Sequence, residues 1–175
     1  MSKYTIDIET NNLLSNMIDF TSLPYKLNTE AKLYCVVIRN IDTDEVSFAV
    51  GSEVTTDWLK TTLADATEII LHNGIKFDLI ALKLFGVLDY EVGYLDREDK
   101  LFGKPVKIVD TLVRSRLLNP DRYGGHSLKA WGVALGEHKG DYTDFSHYNE
   151  EMLEYCKQDT KVTSLIYKTL ADEYN

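Results

Sequence analysis

The sequence predicts an α/β domain: a mixed β-sheet with helices packed on it. Three observations predict it. The first fifty residues contain runs with the two-residue alternation and β-branched content of strands. From about residue 55, short apolar runs alternate with segments of helical spacing. The composition is globular: of 175 residues, 44% are hydrophobic and 27% charged, with 10 Gly and 3 Pro. That excludes a disordered or collagen-like chain. The length suits one core, so a single domain over residues 1–175 is expected.

Lys3 to Thr10 alternates cleanly, with Tyr4, Ile6 and Ile8 on one face and Thr5, Asp7 and Glu9 on the other. A polar, irregular stretch reaches about Lys32. Leu33–Ile38 and Glu45–Val50 then read as strands joined by the turn-rich Asn40–Asp44, forming an antiparallel meander with the first strand. Thr55 or Thr56 caps a helix to about Ala64, and Glu68–Leu71 is a short, buried-type strand. In Asn73-Gly74-Ile75-Lys76-Phe77-Asp78, Asn73 is placed to cap and Gly74 to permit a tight turn. Phe77, Ile80, Ala81 and Leu84 then recur at helical spacing, which puts Asp78 about one turn into a helix. Residues 86–105 carry no clear period. Val106–Val109 reads as a strand before a helix from Asp110 to Leu118, ended by Pro120. His126 or Ser127 opens a short helix to Leu135, and residues 140–147 are irregular. Asn149 caps the last helix, with Glu150 and Glu151 in its first turn and apolar positions to Leu170.

The net charge of −9 argues against a uniformly positive nucleic-acid-binding surface. The start of the chain lacks a signal-peptide pattern, and no run approaches the roughly 18 apolar residues of a membrane span. Cys35 and Cys156 form no CxxC pair and no zinc spacing, and read as inert core in a reducing cytoplasm.

One pattern conflicts with ordinary burial. Met152, Cys156, Thr163, Ile166 and Leu170 mark the inward stripe of the last helix, and Asp159 falls inside it. An ionised carboxylate facing inward is costly without a cation, and Lys157 and Lys161 point elsewhere. Asp7 and Glu9 raise the same question on a strand expected at the sheet centre, and Asp78 adds a fourth acid. Oxygen ligands without His or Cys suit Mg²⁺ or Mn²⁺, and four carboxylates suffice for two such ions. Spacing alone is unspecific: Asp-x-Glu recurs at Asp89–Glu91 and Asp96–Glu98, whereas Tyr-x-x-x-Asp occurs once among 11 tyrosines, at Tyr155 and Asp159.

Order and placement make the pattern specific. Asp7-Ile8-Glu9-Thr10, His72-Asn73-Gly74-Ile75-Lys76-Phe77-Asp78 and Tyr155-Cys156-Lys157-Gln158-Asp159 resemble, in order, the three motifs of the DEDD 3′-to-5′ exonucleases. Within that superfamily the chain resembles the proofreading domain of family A DNA polymerases of phage type. Asp7–Leu14, His72–Leu82, Asp110-Thr111-Leu112 and His126–Gly132 carry this likeness, whereas residues 14–32 and 86–105 match nothing in it. Glu154 stands where the histidine branch has its His, and Tyr155 satisfies the tyrosine branch.

The resemblance implies a ribonuclease H-like (DnaQ-like) fold with a mixed five-stranded sheet. It also implies two divalent ions, Mg²⁺ or Mn²⁺, roughly 3.5–4 Å apart and bridged by Asp7. Glu9 and Asp159 would complete the site where a water ionises, Tyr155 would orient that water, and Asp78 would hold the second ion, largely through water. Thr10 corresponds to a residue whose backbone reaches the 3′-OH, and Leu13 or Leu14 to one that wedges against the last base. His72, Asn73 and Phe77 are candidate substrate contacts. Asp110 reads as a helix cap before a ligand, and His126 as packing or capping beside substrate contact. His138 and His147 read as exposed, and Trp58 and Trp131 as packed anchors.

The leading expectation is an enzyme that trims single-stranded or frayed DNA 3′ ends to nucleoside 5′-monophosphates. With no polymerase domain following, it would proofread beside a separate polymerase subunit, in the host cytoplasm if phage-encoded. The alternatives are an RNA-trimming exoribonuclease, a non-catalytic polymerase accessory subunit, or an endonuclease of the same fold. Charge distribution tempers the net −9. Residues 97–130 hold Arg97, Lys100, Lys104, Lys107, Arg114, Arg116, Arg122 and Lys129 against four acids, a net of +4 that is a candidate for steering the strand or a solvated face.

Overall fold

The computed structural model describes residues 2–93, 98–137 and 142–174. Arg97 and His138 lie outside them. The alternating segment forms β1 (Ser2–Thr10), whose burial agrees with its period: Ile6 and Ile8 face a core, and Thr5 and Glu9 are buried on the opposite face. A short helix α1 (Leu14–Met17) and a two-stranded ribbon, β2 (Ile18–Asp19) and β3 (Lys26–Leu27), occupy the stretch expected to be irregular. Then come β4 (Leu33–Asn40) and β5 (Val46–Val50), α2 (Thr56–Thr62) capped by the Thr55 hydroxyl, and β6 (Ala66–Leu71). Helix α3 (Asp78–Leu84) starts later than its sequence pattern indicates, so Asp78 is its first residue. Residues 86–105 contribute β7 (Tyr90–Glu91) and β8 (Asp99–Leu101), too short to show a period. After them run β9 (Lys104–Asp110), α4 (Thr111–Leu118), α5 (Leu128–Ala134) and the 25-residue α6 (Glu150–Tyr174).

The sheet order is β5-β4-β1-β6-β9-β8-β7. β1 lies between antiparallel β4 and parallel β6, and β9 runs parallel to β6. The five expected strands thus form the body of the sheet, and β8 and β7 extend it antiparallel beyond β9. With β1, β6 and β9 parallel, the catalytic candidates collect where these strands end, as open α/β sheets place their ligands.

Each face has its own core. Ile6, Ile8, Val36, Ile38, Ile69 and Leu71 pack with Leu59, Leu63, Leu79 and Leu82 on the α2/α3 side. On the other side Val37 and Cys35 meet Leu153 and Cys156, while Ile70 and Val109 meet Tyr167. Each fully buried aliphatic side chain contributes roughly 1.5–3 kcal/mol. α6 is also fixed by polar contacts: the Thr5 hydroxyl donates to the Thr160 carbonyl at 3.2 Å. Buried Arg39 reaches Thr160 Oγ1 and the Lys157 carbonyl at 3.3 Å each, and its charge pairs with Asp44. Among the described residues, no helix is long and apolar enough to cross a membrane.

Candidate active site

Three elements bring four carboxylates together. β1 supplies Asp7 and Glu9 from the face that packs on α6, α6 supplies Asp159, and α3 supplies Asp78 from its first turn. Asp7 is half-buried, and Glu9 and Asp78 are 8% and 6% exposed. Among the described residues, none of the four forms an ion pair with Lys or Arg. Lys157 pairs with Glu154 and Lys161 with Glu137, as their off-stripe positions require.

Crowded, desolvated acids hold their protons. Burial, then the charges of Asp159, Asp78 and Glu9, pushes Asp7 well above its ordinary range. Glu9 is raised to about 9, chiefly by burial and then by Cys35, Asp159 and Asp78. Burial lifts Asp159 to about 7 against a hydrogen bond from Tyr155. It lifts Asp78 to about 7, opposed by the polar backbone of Asp78 and Ile8. Divalent cations would replace the protons and remove the repulsion. The residues present fit such ions: Asp7 and Glu9 offer oxygen atoms within 4.8 Å of each other, and Asp78 and Asp159 are near enough for their charges to act on both.

The turn that delivers Asp78 differs from its sequence reading. Asn73 caps nothing; it takes a left-handed φ of 65°, and α3 has no side-chain cap. Gly74 is required by space, because a Cβ there would lie 2.4 Å from the Leu71 Cβ. Phe77 packs on the core, while Ile80 is exposed and Leu79, Ala81 and Leu82 are buried, since the later helix start rotates the inward face. Asp110 organises the turn. Its Oδ1 accepts the amides of Asn73 and Leu112 at 3.0 Å and of Val113 at 3.4 Å, and its Oδ2 that of Ile75 at 3.3 Å. It therefore caps α4 and ties that helix to the β6–α3 turn, with its lone pairs committed to backbone.

The two nearby histidines are held by hydrogen bonds within the fold, and among the described residues His72 Nε2 is buried without a hydrogen-bond partner. His72 Nδ1 meets Thr111 Oγ1 at 2.9 Å, and the Thr111 hydroxyl donates to the Leu71 carbonyl at 2.9 Å. Thr111 has one proton, so His72 Nδ1 is the donor. Burial lowers the imidazole pKa to about 4, which keeps it neutral. His126 uses both nitrogens, Nδ1 with Ser115 Oγ at 2.8 Å and Nε2 with the Pro120 carbonyl at 3.1 Å, which agrees with its packing or capping reading. Ser115 also accepts from buried Trp131, and Ser127 caps α5. Trp131 and Trp58 are packed anchors, and His147 is exposed.

Thr10 is buried at the end of β1, its hydroxyl donating to the Asn12 carbonyl at 2.8 Å. Leu14 packs on the core and Leu13 is 67% exposed, which separates two residues that sequence left equivalent. The basic segment does not form one face. Lys100 and Lys107 pair with Glu91 and Glu68, and Lys104 donates to the Ala64 carbonyl, all toward the sheet end away from Glu9. Arg114 lies over Tyr167, and Arg122 stacks on Trp131 and pairs with Glu173. Arg116 and Lys129 are exposed on α4 and α5.

Sequence reasoning missed Cys156. Its thiol donates to Asp7 Oδ2 at 3.1 Å, and ligand atoms of Asp7, Glu9 and Cys156 lie within 4.8 Å of one another. It is buried core whose thiol also touches the acidic cluster. Its position three residues before Asp159 on the same helical stripe was the available signal.

The family described as 3′-5′ exonuclease matches residues 3–175. Over 206 residues the chain is 31% identical to the DNA-directed DNA polymerase of Escherichia phage T7, and equally to that of Enterobacteria phage T3. Each match covers 96% of this chain and 26% of the polymerase, so the chain spans about a quarter of those relatives' length. Among solved structures, Brucella melitensis NrnC with bound Mg²⁺ shares the fold, at a TM-score of 0.61 and 19% identity over 98% of this chain and 72% of that one. The fold is ribonuclease H-like.

Proposed function

The chain belongs to the 3′-5′ exonuclease family, and from that premise we propose that it trims single-stranded or frayed DNA 3′ ends to nucleoside 5′-monophosphates. Asp7, Glu9, Asp78 and Asp159 hold two divalent ions in this reading, and Tyr155 assigns the chain to the tyrosine branch. The observation that carries it is the convergence of carboxylates from β1, α3 and α6, with ligand atoms of Asp7 and Glu9 within 4.8 Å of each other and the charges of Asp78 and Asp159 acting on both.

Bound Mg²⁺ or Mn²⁺ would supply an ionised water near neutral pH and compensate charge on the departing 3′ oxygen. The chain's own groups do the rest. Asp7, central on β1, would hold the ions together with Glu9, Asp159 and Asp78. The Tyr155 hydroxyl, which bonds Asp159, would orient the attacking water. Leu13, the more exposed of the pair, would wedge against the last base, and the Thr10 backbone would reach the 3′-OH. A polymerase would hand the frayed end to this site, making the activity proofreading.

The test is digestion of 5′-labelled DNA and matched RNA oligonucleotides with Mg²⁺ or Mn²⁺. Stepwise shortening from the 3′ end with release of 5′-monophosphates is expected for DNA. RNA-only digestion would overturn the DNA assignment, and cleavage of a circular single strand would overturn exonucleolytic action. Tyr155→Phe is expected to lower kcat by about 10–100-fold with little change in the metal concentration needed, because it removes water orientation and no ligand. A loss equal to that of Asp7→Ala would give Tyr155 a different role.

A further inference from the structure

The excursion between β1 and β4 carries exposed side chains that the carboxylate chemistry leaves unused. Both its stems are clasped just beyond the catalytic end of β1. The Asn11 amide donates to the Lys32 carbonyl at 3.1 Å, and the Lys32 amide to Asn11 Oδ1 at 2.8 Å. Asn11 Nδ2 reaches the Glu30 carbonyl at 2.8 Å. Above this clasp, Met17 is 1% exposed and roots the segment, and Asn28 bonds the carbonyls of Met17 and Asn16 at 2.7 Å each. The ribbon then pairs Ile18 with Leu27 and Asp19 with Lys26. At its outer end Phe20 and Tyr25 meet edge to face, with centroids 5.7 Å apart at 71°. They remain 62% and 52% exposed, and Leu23 between them is 83% exposed.

An ordered ribbon that keeps two aromatic rings in water forgoes roughly 1.5–3 kcal/mol of burial for each. The excursion is also charge-balanced, with Asp19 and Glu30 against Lys26 and Lys32, in a chain of net −9. Asp19 is moreover engaged by the Thr21 amide and hydroxyl. Attraction for a polyanion there must come from rings rather than from charge. Every nucleobase offers a π-face, and stacking on an aromatic side chain is sequence-tolerant, contributing roughly 1–3 kcal/mol per base. The clasp at Asn11 and Lys32 follows directly on Glu9 and Thr10, so the excursion leaves the sheet at the end of β1 that carries the acids.

Resting on the exonuclease reading above, we propose that Phe20 and Tyr25 form a stacking platform for substrate bases that lie upstream of the nucleotide held at the carboxylates. The platform grips the strand through single-stranded bases upstream of the 3′ end.

The test compares a dinucleotide, too short to reach the ribbon, with a hexanucleotide, in the parent protein, the Phe20→Ala/Tyr25→Ala double variant and Leu23→Ala. The parent's kcat/KM is expected to rise about tenfold or more from dimer to hexamer. The double variant should lose that gain through KM while hydrolysing the dimer like the parent, and Leu23→Ala should keep it. An unchanged hexamer value in the double variant overturns the platform and assigns the patch to a protein partner. An equal loss on both substrates, or an equal loss in Leu23→Ala, also overturns it. If the parent releases no nucleotide from either oligomer, the exonuclease reading fails. Fluorescence anisotropy of a labelled hexamer then still decides the platform, because the double variant must bind about tenfold more weakly.

Discussion

Asp7→Ala is expected to lower kcat by about a thousandfold or more while the protein stays folded. The residue is the centre of the proposed site, and ligation there supplies several kcal/mol of transition-state stabilisation, each 1.4 kcal/mol being tenfold in rate. The folded state has no comparable need of it. Asp7 accepts one bond, from the Cys156 thiol, and is raised by burial and by three neighbouring acids. Removing it relieves repulsion in the metal-free protein. The melting temperature in chelator near pH 8 is therefore expected to equal or exceed the parent's, while the stabilisation by millimolar Mn²⁺ shrinks. Full activity in this variant would sink the site. A collapse in melting temperature would make Asp7 a structural residue instead.

The second large effect is the coupling of pH, metal and stability. Asp78 and Asp159 are held at about 7 and Glu9 at about 9, each above its ordinary carboxyl value, with burial the leading cause. Groups raised in the folded state give stability that is complete below their unfolded pKa and lost as pH climbs through the folded values. The metal-free protein should thus lose on the order of a few kcal/mol between pH 6.5 and 8.5, or about 5–10 °C in melting temperature. One opposing group acts within that window: the hydrogen bond with Cys156 lowers the Cys35 thiol, which adds stability as pH rises toward its unfolded value of 9.0 and reduces the loss. The others act below it. His72, lowered to about 4, adds stability only as pH rises toward its unfolded value near 6.5, and Asp19, Asp65 and Asp144, all lowered, matter only in acid. Mg²⁺ or Mn²⁺ should flatten the slope, stabilising more at pH 8.5 than at 6.5. Calorimetry in chelator and in millimolar Mn²⁺ measures both curves. A metal-free melting temperature that rises with pH across the window would mean the cluster is compensated by something other than cations.

The two predictions share one cause, the burial of like charges. β1 is central, so its odd-numbered face is covered by α6, and a helix that continues to Tyr174 places Asp159 against it. The cost is borne by the surrounding packing of Ile6, Ile8, Val37, Leu153 and Cys156.

Local period made much of this legible. Alternation in β1 put Asp7 and Glu9 on one face, and three- and four-residue spacing put Asp159 among the apolar positions of α6. Both are consequences of backbone geometry that a single segment carries. Where a segment is short or its partners are remote, period carries less. β2, β3, β7 and β8 have two or three residues each and exist through pairing. The late start of α3 follows from Asp110 holding the Asn73 and Ile75 amides, across 37 and 35 residues of sequence. His72 and His126 carry a substrate-like motif, but the hydroxyls of Thr111 and Ser115 turn them into the fold.

The sequence by itself therefore determined the class of fold, the order of its long elements and the acidic character of the site, because period and residue chemistry are local properties. Only the tertiary structure decided that Cys156 touches Asp7, that Asp110 ties two turns together, that Leu13 rather than Leu14 is exposed and that Phe20 and Tyr25 stand in water. Burial and hydrogen-bond partnership are set by residues distant in the chain, and no segment encodes them alone.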